Sequence, residues 1–328
     1  MENTPNISVV MCTYNGAKYI EQQIESILAQ THPVYELIVQ DDGSTDSTVE
    51  IIENYGRKYP IIKLFRNEKR KGYNANFFSA MRKASGDYIS ISDQDDIWKA
   101  DKLEEMLRSV GDSLLCFCRN KPFSEDGVSV VPPDPRIPNF GIERIVFQGP
   151  AAGHVQFIRR ELLDLIPPTA DFNYYYDQIL QLVAAGYDRI SFCDKILVHH
   201  RRFVDAATYS AYDKSKYKRT FFSGTIAIID HLKLYRGLRP EMKNYFSKLY
   251  LFLNQLPKNK RLKDALKICK HASSSSLTSY IKFTILSIRL RQQIFYTTEK
   301  NDLVAVVRAI LFPIYCSEYF KNNEKSLK

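Results

Sequence analysis

The sequence predicts an α/β fold: a mostly parallel sheet with helices on both faces, followed by a helical C-terminal extension. Short β-rich runs alternate with amphipathic helical patterns between residues 7 and 92, which implies crossover connections and parallel pairing. Three of those runs end in polar or acidic clusters, at residues 13–15, 41–44 and 93–96. Beyond Ser210 the texture changes to long helical patterns rich in Lys and Arg.

Ile7 to Met11 reads as a buried strand entering the loop Thr13-Tyr14-Asn15-Gly16. Ile20, Ile24, Ile27 and Leu28 recur at helical spacing between Tyr19 and Gln30. Glu36 to Val39 is a second strand, closed by Asp41-Asp42-Gly43-Ser44; Ser44 or Asp46 then caps a helix carrying Val49, Ile51 and Ile52. Ile61 to Phe65 is a third strand and Asn76 to Ala84 a third helix. Tyr88 to Ser92 is a fourth strand, running into Asp93-Gln94-Asp95-Asp96. Residues 120–150, rich in Pro and Gly, read as a long loop or a pair of short strands. Val155 to Ile158 and Ile190 to Cys193 are further strands, with a helix at Asp177 to Ala185 between them. In the C-terminal third, helices are expected at Phe221 to Tyr235, Tyr245 to Leu256, Tyr280 to Phe295 and Leu303 to Phe320.

The chain has 328 residues, 45% apolar and 25% charged, enough for a sizeable core and an appendage and incompatible with whole-chain disorder. Six cysteines form no CxxC pair, so a disulfide scaffold is not expected and a reducing compartment fits. MENTPNISVV carries no visible signal peptide. Leu303 to Cys316, interrupted by Arg308 and Pro313, falls short of the ~18 to 20 residues that span a bilayer. A cytoplasmic protein is expected, with the inner face of the cell membrane as its surface. The net charge of +9 conceals a split: residues 1–210 carry 23 Lys and Arg against 29 Asp and Glu, and residues 211–328 carry 23 against 8. An acidic first part suits a metal cation, and a basic tail suits an anionic lipid surface or carrier. The expected division is a catalytic domain over 1–210 and a basic extension over 211–328.

Ligands of a parallel sheet bind at the carboxyl ends of its strands, and the three polar clusters all sit at such ends. Asp93, Asp95 and Asp96 lie within four residues. Their mutual repulsion is costly unless a cation or hydrogen-bond donors neutralise it. Hard oxygen ligands suit Mg²⁺ or Mn²⁺, which complete their shells with phosphate oxygens; a solvated turn capping the next helix is the other reading of the cluster alone. Asp41 and Asp42, at a neighbouring strand end, can accept hydrogen bonds from a base or ribose.

Val9-Val10-Met11-Cys12-Thr13-Tyr14-Asn15, the Asp41-Asp42-Gly43-Ser44 turn and Asp93-Gln94-Asp95, in that order and spacing, resemble the inverting family-2 glycosyltransferases of GT-A fold, over roughly residues 5–210. The resemblance implies a nucleotide-diphosphate sugar donor held by Cys12, Thr13, Tyr14, Asn15, Asp41 and Asp42, with Arg66 as a further contributor. It implies that Asp93 faces ribose and metal and that Asp95 is the direct metal ligand. The region Gly149 to His154 lines the acceptor side, and Tyr174-Tyr175-Tyr176-Asp177-Gln178 resembles the element carrying the catalytic base, here Asp177. A helix N-cap is the plainer role for that residue. Leu197 to Phe203 resembles the donor-phosphate segment of rhamnosyltransferase-like bacterial members. There Arg201 is kept and would pair with diphosphate oxygens, while His200, Arg202 and Phe203 depart from the usual pattern and Asp205 stands near its Asn. His199 and His200, adjacent on a strand, point to opposite faces and are not expected to share a metal.

The expected function is therefore sugar transfer to a glycan or lipid-linked acceptor in surface polysaccharide synthesis. A sugar nucleotidyltransferase is the enzyme alternative, although Thr13 to Lys18 lacks the Gly-rich phosphate loop. A non-catalytic nucleotide- or membrane-binding scaffold is the other alternative. Ile281, Phe283, Ile285, Leu286 and Ile288 beside Lys282, Arg289 and Arg291 describe a helix that lies on an anionic bilayer or packs on its own catalytic domain. No nucleic-acid motif accompanies the tail's charge.

Overall fold

The computed structural model describes residues 4–127, 130–168, 175–203 and 223–320. Tyr174, Asp205 and the expected boundary at residue 210 lie outside the described residues. Strands β1 (Ile7–Thr13), β2 (Glu36–Asp41), β3 (Ile62–Arg66) and β4 (Tyr88–Ser92) alternate with helices α1 (Ile20–Leu28), α2 (Thr48–Lys58) and α3 (Tyr73–Met81). Then follow β5 (Ile97–Trp98), α4 (Lys102–Val110), β6 (Leu115–Phe123), α5 (Ile142–Ile145), β7 (Gln156–Arg159), α6 (Tyr176–Gly186) and β8 (Ile190–Arg201). They form one eight-stranded sheet in the order β3-β2-β1-β4-β7-β6-β8-β5. The first four strands pair in parallel. β7 reverses direction against both β4 and β6, and β8 returns parallel to β6. The sheet is thus mixed, with its parallel half where the βα alternation was read. Ile7, Val9, Val10 and Met11 are wholly buried, as expected of a strand covered on both faces.

Two elements differ from expectation in ways that shape the site. α3 starts at Tyr73, three residues earlier than expected, because Gly72 takes φ +76, a left-handed conformation suited to glycine, while the Lys71 and Gly72 amides donate to Asp42 at 2.7 and 2.9 Å. β8 runs twelve residues rather than four. After irregular register beside Cys118 to Asn120, its far end pairs with β5 and delivers His199, His200 and Arg201 next to the acidic loop.

Helices α7 (Ser223–Leu253), α8 (Lys260–Ala272), α9 (Leu277–Arg289), α10 (Arg291–Ile294) and α11 (Asp302–Tyr315) form the C-terminal region. α7 continues through Pro240 where two helices were expected. α8 was not anticipated; its buried stripe is Leu262, Ala265, Ile268, Cys269 and Ala272. Phe147 meets the rings of Phe246, Phe283 and Phe312 at 5.8, 6.3 and 4.8 Å. Tyr245 Oη donates to the Val146 carbonyl, and Arg261 bridges Glu143 and Asp188. One apolar core therefore runs from the sheet into these helices. On α9, Phe283 and Leu286 are buried while Ile281 and Ile285 are exposed, so the helix packs on its own chain with one face and leaves the other open. The stretch Asp302–Phe320 is long and apolar enough to cross a membrane by length and composition, with 39% of its apolar window buried. The apolar run Leu303 to Cys316 is by itself too short; the span reaches this length only with the residues on either side of it, Asp302 and Ser317 to Phe320.

Candidate functional site

The three polar strand ends meet at one sheet edge. After β1, Thr13 Oγ1 donates to Asp41 at 3.1 Å. Asn15, at φ 47, receives the Thr45 amide on its Oδ1 at 2.8 Å. Asp41 also accepts the Gly43 and Ser44 amides and the Ser44 hydroxyl. The polar groups of Thr13, Asn15 and Asp41 thus shape the loop from within, Asp41 with no exposed surface and Asn15 exposed. Asp42 accepts from Asn67 Nδ2 at 2.8 Å as well as from the Lys71 and Gly72 amides. It ties the loop after β3 to the loop after β2. Tyr14 is 38% exposed with the Arg70 guanidinium over its ring at 4.0 Å, and Arg66 stands exposed at the end of β3. The Cys12 thiol is pushed well up by burial, then by Asp93 and Asp42, so it is a neutral contact surface.

Gln94, the middle residue of the acidic motif, staples that motif to the first loop. Its Oε1 accepts the Tyr14 amide at 2.9 Å and its Nε2 donates to the Tyr14 carbonyl at 3.1 Å. A Cβ at Gly16 would collide with this amide, which explains the glycine there. Beneath the motif, buried Asp96 accepts from Arg201 N at 3.1 Å and pairs with His200 Nδ1 at 3.0 Å. His154 Nδ1 lies 3.2 Å from Asp93 Oδ2 and 3.9 Å from Asp96 Oδ2. Burial opposes the charged forms of both His154 and Asp96. Their mutual attraction wins, raising the histidine and lowering the aspartate. Lys102, wholly buried, donates to the His154 carbonyl at 2.9 Å and sits over the Trp98 ring at 3.3 Å; burial pulls it down to about 7. Sequence reasoning did not single out Lys102, although the stripe Lys102, Leu103, Met106, Val110 places it on the inward face of α4.

Arg201 is enclosed as well. Its side chain is 1% exposed, with Nε donating to the Asp95 carbonyl at 2.9 Å, Nη2 to Gln22 at 2.6 Å and Nη1 beside Glu125. The rings of Tyr19 and Phe123 cover it at 4.4 and 4.7 Å. It braces the acidic loop from below. Arg201→Ala should therefore lower stability by about 1–3 kcal/mol, the scale of buried acceptors left unsatisfied, and Arg201→Lys should recover only part. Urea midpoints check this; a variant as stable as wild type but weak in nucleotide binding would restore the diphosphate role.

Asp177 opens α6. Its Oδ1 accepts the adjacent Gln178 amide at 2.8 Å, and its carbonyl is held by Gln156 and Gln181. Burial pushes its carboxyl up to about 6, and the charge of Asp93 adds to this. Asp95 is pushed up to about 7 by burial, then by Asp93 and Asp96. The charge of Asp93 thus bears on Cys12, Asp95 and Asp177 alike.

Asp93 and Asp95 supply the hard oxygen donors that Mg²⁺ or Mn²⁺ takes, and the raised Asp95 is the group a cation would relieve. Asp96, His154 and His200 also place one ligand atom each within 4.8 Å of one another. Their rings, however, stack at 4.4 Å and 11°, and an imidazole binds a cation in its own ring plane. Two parallel planes do not suit one shared ion, and in this trio His200 is hydrogen-bonded to Asp96 while His154 stands 3.9 Å from it.

A mixed sheet with an Asp-X-Asp loop at the ends of its parallel strands defines the GT-A class of nucleotide-sugar-binding folds. Residues 8–164, just under half of the chain, match the model of Glycosyl transferase family 2. TuaG of Bacillus subtilis, named for teichuronic acid biosynthesis, is 35% identical over 130 residues, 40% of this chain and 49% of that protein. EpsE of the same organism, named as a glycosyltransferase, is 34% identical over 149 residues, 42% and 52% of the two chains. The chain thus spans about half the length of the curated relatives it matches. Among solved structures, S. aureus TarS 1–349 in complex with UDP-GlcNAc shares the fold at TM-score 0.58 and 17% identity, covering 98% of this chain and 91% of that one.

Proposed function

We propose that this chain transfers a sugar from a nucleotide-diphosphate donor to a hydroxyl of a glycan or lipid-linked acceptor, with inversion, in bacterial surface polysaccharide synthesis. The observation that carries this reading is the meeting of the loops after β1, β2 and β4 at one sheet edge, where Gln94 of the acidic motif is bonded to Tyr14 and Asp42 to the Lys71 and Gly72 amides. The names of TuaG and EpsE and the UDP-GlcNAc bound to TarS support the reaction class and the type of donor. Tyr14, Cys12 and Asp93 line the nucleotide side, while Asp42 and Gln94 hold the two loops that form it. Asp93 and Asp95 would hold a divalent cation, which when bound would supply positive charge to the departing diphosphate. Asp177 takes the proton of the acceptor hydroxyl on its second oxygen, Oδ2, as that hydroxyl attacks the anomeric carbon; Oδ1 stays anchored to its own helix turn. A carboxyl near 6 is ionised at neutral pH yet basic enough to help. The test is incubation with a panel of nucleotide sugars and Mg²⁺ or Mn²⁺. Release of free nucleoside diphosphate with a glycosylated product supports transfer. Release of pyrophosphate would indicate nucleotidyl transfer, and binding without turnover a scaffold.

The membrane reading of the tail has its own observation. α9 exposes Leu277, Ile281 and Ile285, and α11 exposes Leu303, Val304, Val307 and Ile310; such a patch on a region with 23 basic and 8 acidic residues fits an anionic lipid surface. The protein should float with vesicles containing phosphatidylglycerol and not with purely zwitterionic ones, and Ile281→Glu with Val307→Glu should abolish flotation. Equal flotation of the double variant would reject this surface.

A further inference from the structure

Among the described residues, four tyrosines are prominently exposed: Tyr14, Tyr35, Tyr73 and Tyr296. Tyr73 alone of these lies beside the group assigned as base. It is 44% exposed and stacks on Tyr175 with centroids 5.8 Å apart and planes at 24°. Its hydroxyl is pushed upward by burial, then by Tyr175 and by the charge of Asp177, two residues beyond Tyr175. The pair is rigidly mounted. Asn74 Oδ1 accepts the Tyr176 amide at 2.9 Å, and the Tyr176 ring stacks on Phe77 at 4.2 Å. On the other side, Gly72 immediately before Tyr73 is tied to Asp42 of the nucleotide loop. The start of α3 therefore joins the donor loops to the start of α6, and at that junction it presents an aromatic ring to solvent.

Stacking on Tyr175 leaves Tyr73 44% exposed, so part of the ring is open to a ligand. Pyranoses present flat C–H faces that pack on aromatic rings, with hydroxyls pointing outward at the edges; linear polyols and phosphodiesters offer no such face. We propose that Tyr73, backed by Tyr175, is the platform on which the acceptor's terminal pyranose stacks, so that the acceptor is a saccharide end and one of its edge hydroxyls is aimed at Asp177. This deepens the glycosyl-transfer reading and rests on it. It adds the acceptor class and a residue outside the three motifs of the donor site.

The test uses the full chain with UDP and Mg²⁺ and the probes methyl β-N-acetylglucosaminide, methyl α-mannoside, methyl β-galactoside and ribitol, followed by saturation-transfer NMR. At least one methyl glycoside should receive saturation on its ring C–H protons. That signal should persist in Tyr73→Phe and Tyr73→Trp and fall about tenfold in Tyr73→Leu, the scale of one aromatic stacking contact. Nucleotide affinity of Tyr73→Leu, measured by calorimetry, should match wild type and thereby show an intact fold. An unchanged signal in Tyr73→Leu would overturn the platform, and so would saturation of ribitol without any glycoside. If wild type binds nucleotide but no glycoside, the platform fails alone; if it binds no nucleotide, the underlying transfer reading fails.

Discussion

Asp177→Asn should reduce sugar transfer by about a hundred- to ten-thousandfold, the range attributed to a positioned general base, with nucleotide-sugar affinity changed by less than about threefold. Asparagine keeps the shape of the side chain and can still accept the Gln178 amide, so the start of α6 should hold. What it loses is the site for the acceptor proton. The pH dependence follows from the same carboxyl. Burial holds it near 6, so the fraction ready to accept a proton falls as pH drops through that value. In wild type, kcat/KM for the acceptor should rise with pH and reach half its plateau near pH 6, a limb absent from Asp177→Asn. A profile flat from pH 5 to 8, or a variant that keeps full activity, would remove Asp177 from the chemistry and leave it as a helix cap.

Asp95→Asn should have two opposite effects. Binding of a divalent cation and transfer should fall by orders of magnitude, since the ligand charge is gone. Yet in metal-free solution above pH 7 the variant should be more stable than wild type by a few kcal/mol, the scale of a pKa displaced by about three units. The sign is set by the raised carboxyl. Asp95 moves from 3.8 to about 7 on folding, so its favourable contribution is complete below the unfolded value and disappears as pH rises through about 7. The gap between variant and wild type should therefore open from pH 4 to pH 8. Adding Mg²⁺ at pH 8 should raise the melting temperature of wild type and not of the variant. Thermal unfolding across that pH range, with and without Mg²⁺, checks both effects.

The parallel half of the sheet was legible because β1 and β2 carry the apolar runs Val9 to Met11 and Leu37 to Val39, and β4 the alternating Tyr-Ile-Ser-Ile-Ser, each closed by polar residues. The acidic loop and the start of α6 were legible for a related reason: cleft-lining residues sit at the ends of strands and helices, where the pattern breaks. What escaped depends on contacts between distant segments. Arg201 looked like a phosphate ligand from its local motif, but Tyr19, Gln22, Phe123 and Glu125 enclose it, and none of them is near it in sequence. Asp41 and Asp42 read as a matched pair, yet strand alternation and the two adjoining loops give each its own set of donors. His154 and His200 were judged apart from each other, since their meeting over Asp96 requires the long β8 and its irregular register with β6. The mixed sequence of β8, with Asp194 and Lys195 between two apolar runs, hides a twelve-residue strand from any periodicity. α8 was missed because its many lysines obscure a clear inward stripe.

The acidic groups of the cleft are held to act together, through a divalent cation, on the diphosphate of the donor. Calorimetric titration of UDP- and GDP-sugars into wild-type protein, with Mg²⁺ or Mn²⁺ and again with excess chelator, tests this most directly. Saturable binding to at least one donor with the cation, lost in chelator and in Asp95→Asn, is the expected result. Equal affinity with and without the cation would contradict it.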